Sequence, residues 1–210
     1  GNHDISLYNV FRRFVLPLER YKRYITGDLE PVYIDEEIAV MGVNTARSLT
    51  FKDGRVNHEQ IEAIRSKMAG LDRRITRIVV THHPFDLPMT VDDDHLVDRA
   101  PIAMKAFAEC GVDVLLSGHM HASHAGSTSE RYVMDEYAAL VIQAGTATST
   151  RGRGEVNSFN VVRVEHDKVE VDRYGWDVLG KAFSLMNTES FLRSGNIWAA
   201  HTEGLYAAGL

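Results

Sequence analysis

The chain has one cysteine, five prolines, two tryptophans and no surplus of positive charge. A single thiol, Cys110, excludes an internal disulfide framework and fits a reducing compartment, so a cytoplasmic location is expected. No run of about 18 apolar residues occurs, so no segment is expected to span a membrane. Lys and Arg number 23 against 29 Asp and Glu, a formal net charge of −6. A chain of that balance offers no basic face to a nucleic-acid polymer or to an anionic lipid surface. If it handles phosphate, positive charge has to come from elsewhere, and bound metal ions are one source.

What is there is histidine. The chain carries ten in 210 residues, unevenly spread. The most telling stretch is Gly118-His119-Met120-His121. It follows Val112-Asp113-Val114-Leu115-Leu116-Ser117, which has the apolar, β-branched look of a buried strand. Two histidines one residue apart converge only where the backbone bends, and Gly118 is the residue expected to permit the bend.

The middle of the chain alternates strand and helix. Strands are expected at Pro31–Ile34 and Glu37–Val43, around the acidic turn Asp35-Glu36. Asn57 should cap a helix from His58 to about Ala69. Arg77–Thr81 is a short buried strand running into His82-His83-Pro84. A second helix is expected over Pro101–Glu109, with Gly111 as its stop and Cys110 packed in the core. After a further strand at Ala138–Ala144, a hairpin is expected from Ser158–Val164 and Lys168–Tyr174, with one more strand over Trp176–Ser184. At the start, Ile5–Ile25 has helical patterning that Pro17 should break or kink. This pattern argues for a layered α/β fold. Residues 1–186 are expected to form the domain, and 187–210 a C-terminal extension whose weak patterning leaves it unassigned.

Asn2-His3, His82-His83 and His119-His121 each place histidine just after a strand or at a turn into a helix. In α/β sheets the carboxyl ends of strands are where ligands bind. Three such clusters are hard to produce from packing needs, because a buried imidazole costs desolvation unless it is hydrogen-bonded or metal-bound.

The ordered set Gly-Asn-His-Asp, Thr-His-His-Pro and Ser-Gly-His-Met-His resembles the later motifs of calcineurin-like metallophosphoesterases, with the bacterial class III cyclic-nucleotide phosphodiesterase branch the nearest in look. The resemblance covers about Gly1 to Tyr174 and implies an α/β/β/α sandwich. It implies two divalent ions, Mn, Fe or Zn, in the full-length protein, with a bridging hydroxide that attacks phosphorus. By position, Asn2, His82 and His119 would ligate one metal and His121 the other. His3 would protonate the leaving oxygen, with Asp4 available to hydrogen-bond it and raise its pKa. The implied substrate is a small phosphoester, with a nucleotide as one candidate.

The departures matter equally. The family begins with Asp-x-His and Gly-Asp-x-x-Asp, and neither precedes Gly1. Those motifs supply the bridging Asp and the rest of the other metal's ligands. The chain is therefore expected to be an N-terminally truncated fragment, lacking the first strands of the sheet and poorly active alone. The alternatives are a phosphomonoesterase on the same fold, or a non-catalytic interaction domain that has lost the first metal. Among other residues, His83 is expected beside the metal rather than on it. His124 is a candidate for lining the pocket. Asn44 and Arg47 read as a turn plus a surface charge. Asp92-Asp93-Asp94-His95 reads as a solvated loop, Arg151 and Arg153 as neighbours of a phosphate at most, and His58, His166 and His201 as surface residues.

Overall fold

A computed structural model of the protein describes residues 4–5, 14, 17–46, 54–149 and 154–201. Its centre is a six-stranded sheet. β1 (Val32–Ile34) and β2 (Ile38–Val43) form the expected hairpin. The Asp35 carboxylate closes its turn by accepting the backbone N–H groups of Glu37 and Ile38, both at 2.8 Å. Those bonds, with one from Tyr33, hold the Asp35 carboxyl below its ordinary pKa.

β2 then pairs in parallel with β3 (Thr76–Thr81), β3 with β4 (Val114–Ser117), and β4 with β6 (Leu140–Gln143). β5 (His124–Ser127) closes the far edge antiparallel to β6. The central strands are apolar on both faces, as a covered parallel sheet requires.

Two helices cover one face. Ahead of them, α1 (Glu19–Tyr24) is a short helix after Pro17 and the left-handed Leu18, so the chain does break at Pro17. The first half of the helix expected over Ile5–Ile25 lies largely outside the described residues. α2 (His58–Met68) starts at a capping box. Asn57 Oδ1 accepts the Gln60 N–H at 2.8 Å, and Gln60 Oε1 accepts the Asn57 N–H at 3.0 Å. α3 (Ala100–Cys110) stops at Gly111, whose φ of 68° is the left-handed cap a glycine adopts without strain. Ile61, Ile64, Met68, Met104, Phe107 and Cys110 pack down onto Met41, Val79, Leu115 and Val141. Each fully buried side chain of that size stabilises by roughly 1.5–3 kcal/mol.

The other face meets a four-stranded antiparallel sheet in the order β10-β9-β8-β7. Its strands are β7 (Ser158–Val164), β8 (Lys168–Asp177), β9 (Ala182–Ser194) and β10 (Ile197–His201). Val169, Val171, Phe191 and Trp198 interlock with Ile78, Val114, Leu140 and Ile142 to make the core between the sheets. A layered α/β sandwich is thus what forms. Among the described residues its layers run helix, sheet, sheet, and the outer face of the second sheet leaves Trp176 and Leu185 exposed. No described helix is long and apolar enough to cross a membrane.

The end of the chain departs from expectation. The single strand expected over Trp176–Ser184 is two strands and a turn. Asp177 Oδ1 accepts the Leu179 N–H at 2.9 Å, and the chain reverses there before β9 begins. A boundary after 186 falls inside β9, and the segment left unassigned from 187 supplies most of β9 and all of β10. The strand β5 carries no apolar alternation and was invisible to patterning for that reason.

Candidate metal centre

β3 and β4 are parallel neighbours, with Val80 opposite Leu116, so both deliver the loops at their carboxyl ends to one edge of the sheet. The Gly118 N–H donates to the His82 carbonyl at 3.2 Å and ties the two loop starts together. Gln143, ending β6, donates its side-chain N–H to the Gly118 carbonyl at 3.3 Å. The result is a group of three imidazoles, His82, His83 and His119, with one nitrogen of each within 4.8 Å of the others. His82 Nε2 and His119 Nδ1 stand 3.3 Å apart. Among the described residues, no carboxylate or thiol joins the group.

The bend that brings His119 here is not made by Gly118. His119 and His121 themselves take left-handed backbone, at φ 71° and 60°, and Gly118 does not. Between them Met120 is buried and anchors the loop, and its N–H turns back to the Gly118 carbonyl at 2.9 Å. A left-handed residue with a side chain costs about 1–2 kcal/mol. Two such residues in one short loop make it a locally strained segment.

His83 is the buried member of the three, at 0% exposure. Thr45, just past the end of β2, holds it. Its hydroxyl lies 2.8 Å from His83 Nδ1 and accepts the His83 backbone N–H at 3.3 Å. The Thr81 hydroxyl donates to the His83 carbonyl at 2.7 Å. Gly54 completes the seat. A Cβ there would lie 2.2 Å from His83 Nδ1 and 2.8 Å from its Cβ, so only glycine leaves room for the ring. The chain beyond Pro84 is buckled down by Arg131. Its guanidinium donates to Asp86 at 2.8 Å and to the Leu87 carbonyl at 3.1 Å, and pairs with Asp93. Burial nonetheless pushes the Asp86 carboxyl above its ordinary pKa, against the pull of Arg131.

His121 is not one of the three. Its Nδ1 bonds the Thr146 hydroxyl, just past the end of β6. Asn2 and His3 lie outside the described residues. Asp4 is described and exposed. His124 opens β5, half-buried and apart from the three-histidine group. Asn44 makes a turn, its side chain accepting the Ala46 N–H at 3.1 Å. Arg47, Arg151 and Arg153 lie outside the described residues. Asp93 ends in an ion pair, consistent with a structural rather than a metal-binding acidic loop. Cys110 packs in the core, and burial pushes its thiol up to about 11. Thr45, Gly54 and Thr146 are the residues that reading by type passes over. Thr45 and Thr146 sit just past strand ends, which is where His82 and His119 were found.

No family model matches the chain, and no curated protein matches it by sequence. Among solved structures it is similar to PhoD, with a TM-score of 0.62 and 9% identity over 87% of this chain and 45% of that one. Weaker likenesses are to a dimetal phosphatase from Danio rerio (TM-score 0.44, 16% identity, 58% of this chain and 36% of that one). A putative 5'-nucleotidase from Staphylococcus aureus gives 0.39 at 15% identity, over 90% of this chain and 36% of that one. The chain spans less than half the length of each. The PhoD likeness, the strongest of the three, shows that the chain shares the fold of that protein.

Proposed function

We propose that this chain carries the histidine-bearing part of a binuclear metal site that hydrolyses phosphoesters, with small phosphodiesters, nucleotides among them, as the substrate class. The observation that carries the reading is the convergence of His82 and His119 at the carboxyl ends of two adjacent parallel strands, with His119 on strained backbone. The donor set fits the ions. Clustered imidazole nitrogens suit zinc and iron, and manganese where carboxylates complete the shell. When bound, a divalent pair supplies electrophilic activation of the phosphoryl group and a nucleophile of lowered pKa.

The chain's own residues do the rest. His82 and His119 hold one ion, and Asn2 adds a side-chain carbonyl to it. His121, its Nδ1 engaged by Thr146, offers Nε2 to the second ion. His3 delivers a proton to the leaving oxygen, a contribution of about 10²–10⁴-fold in rate. Asp4, its neighbour, is the group in position along the chain to keep it protonated. Among the described residues no carboxylate joins the histidines, so the carboxylates such a pair needs are to be sought beyond them.

The experiment is metal analysis joined to hydrolysis of bis-p-nitrophenyl phosphate and p-nitrophenyl phosphate, on this chain and on any longer form of the protein. Expected is bound Zn, Fe or Mn, with metal-dependent turnover of the diester ahead of the monoester in the form that supplies the carboxylates. His119→Ala should remove metal and turnover together, whereas His3→Ala should lower turnover and keep the metal. A form with its carboxylates that binds metal but cleaves neither ester would favour an interaction domain and overturn the reading.

A further inference from the structure

We infer that His83 is a ligand in its own right, so that the chain holds one divalent transition-metal ion in a site made of His82, His83 and His119. The inference rests on the reading that His82 and His119 bind metal. It departs from what the family resemblance implies, in which His83 is not a ligand.

Geometry is the first support. A tetrahedral site with metal–nitrogen distances of about 2.1 Å sets its donor nitrogens about 3.4 Å apart. His82 Nε2 and His119 Nδ1 already stand at 3.3 Å. One nitrogen of each of the three rings lies within 4.8 Å of the others, so rearrangements of about an ångström bring a third donor to such a site. The rings are disposed around a point and not stacked. Their centroids are 4.6–5.1 Å apart, and they meet at 87°, 76° and 49°.

Thr45 is the second support. A ligating histidine normally has its other ring nitrogen held by an oxygen, which fixes both tautomer and orientation. His83 has that arrangement. Its Nδ1 faces a hydroxyl that is itself fixed by accepting the backbone N–H of the same residue. In the tautomer where Nδ1–H donates to Thr45, the ring's lone pair is on Nε2. Gly54 is the third. Its bare backbone lies against the His83 ring, where any Cβ would collide, so the imidazole is held in one place. Three neutral donors leave at least one coordination position open, which is how catalytic metal sites differ from closed structural ones.

The test uses the whole chain, labelled with ¹⁵N-histidine and loaded with ¹¹³Cd²⁺, and reads one-bond ¹¹³Cd–¹⁵N coupling. His83→Gln assigns the resonance. Coupling to three histidines, one of them His83 at Nε2, is the expected result. Coupling to His82 and His119 without His83 overturns the inference and leaves the phosphoesterase reading standing. No coupling at any of the three overturns both. Cobalt titration supplies a second measurement. Thr45→Val should weaken Co²⁺ binding by about 10–100-fold, the usual effect of losing an orienting partner. His83→Gln should change the visible Co²⁺ spectrum as well as the affinity. An unchanged spectrum would show His83 to be a positioning residue only.

Discussion

The first sheet has two polar ends, and they are built on opposite terms. At the amino ends of β3 and β4 the buried charges are answered from within. Asp113, buried, accepts the Arg77 backbone N–H at 2.9 Å, the Arg193 guanidinium at 3.1 Å and the Trp198 indole N–H at 3.1 Å. Arg77 spends its own guanidinium on carbonyls, those of Met68 at 3.0 Å and Leu71 at 2.7 Å among them. At the carboxyl ends the same two strands deliver imidazoles towards one another, His119 on left-handed backbone, with no carboxylate among the described residues joining them. One end is arranged for stability. The other gives up stability to hold donors in a fixed arrangement.

The sharpest way to break this contrast is Asp113→Ala. It strips the Arg77 N–H and the Trp198 indole of their buried acceptor and leaves Arg193 only its contacts to His166 and the exposed Asp167, and the cost should be about 3–5 kcal/mol in urea unfolding. Metal affinity should stay within a few-fold of the parent; a parallel loss would mean that the two ends are coupled.

The stable end is also the alkaline-sensitive one. Cys110 lines the same cleft as Asp113 and Arg193, and its thiol is pushed up to about 11 by burial. Because the folded value lies above the unfolded one, its contribution is present in full below about pH 9. It is lost as pH rises towards 11, a fall of about 2–3 kcal/mol. Tyr132 and Tyr137 shift in the same direction. Cys110→Ala should flatten the slope between those pH values in a denaturation series, and an unchanged slope would assign it to the tyrosines.

Gly54→Ala tests the other end. The added methyl collides with His83, so a cost of about 1–3 kcal/mol is expected together with weakened metal binding. Stability lost with metal binding intact would separate His83 from the site.

The smallest effect has the opposite sign. His119→Gly should relieve left-handed strain and, after glycine's own entropic cost, raise the stability of the metal-free chain by about 1 kcal/mol while removing metal binding. A less stable variant would show that the His119 ring is needed for packing.

Periodicity and punctuation made most of the first sheet legible. The buried run at Arg77–Thr81, the Asn57 cap and the Gly111 stop each mark an element within a residue or two of where it lies. β5 was not legible, since His-Ala-Gly-Ser owes its extended form to pairing with β6. Nor was the turn inside Trp176–Ser184, where Asp177 supplies a local bond that no apolar pattern announces. For the site, residue type and strand ends pointed to His82 and His119. They did not show which residues carry the bend. Gly118 is the residue that could turn freely, yet the histidines turn instead. Thr45 was out of reach because its value lies in a partner 38 positions away.

The ties at Asp113 bear on how the chain reaches its folded state. Arg193 and Trp198 are separated from Asp113 by 80 and 85 residues, and the Trp198 backbone N–H bonds the Ala138 carbonyl at 2.9 Å. Contacts of that span are made late, since closing the loop precedes any gain from it. During synthesis, β3 and β4 leave the ribosome with the Asp113 carboxylate still in water. The first sheet cannot be sealed against the second until the last described strand has emerged. A stop codon placed before residue 193 would therefore yield a chain with its histidine loops complete in sequence and the core between its two sheets unsealed.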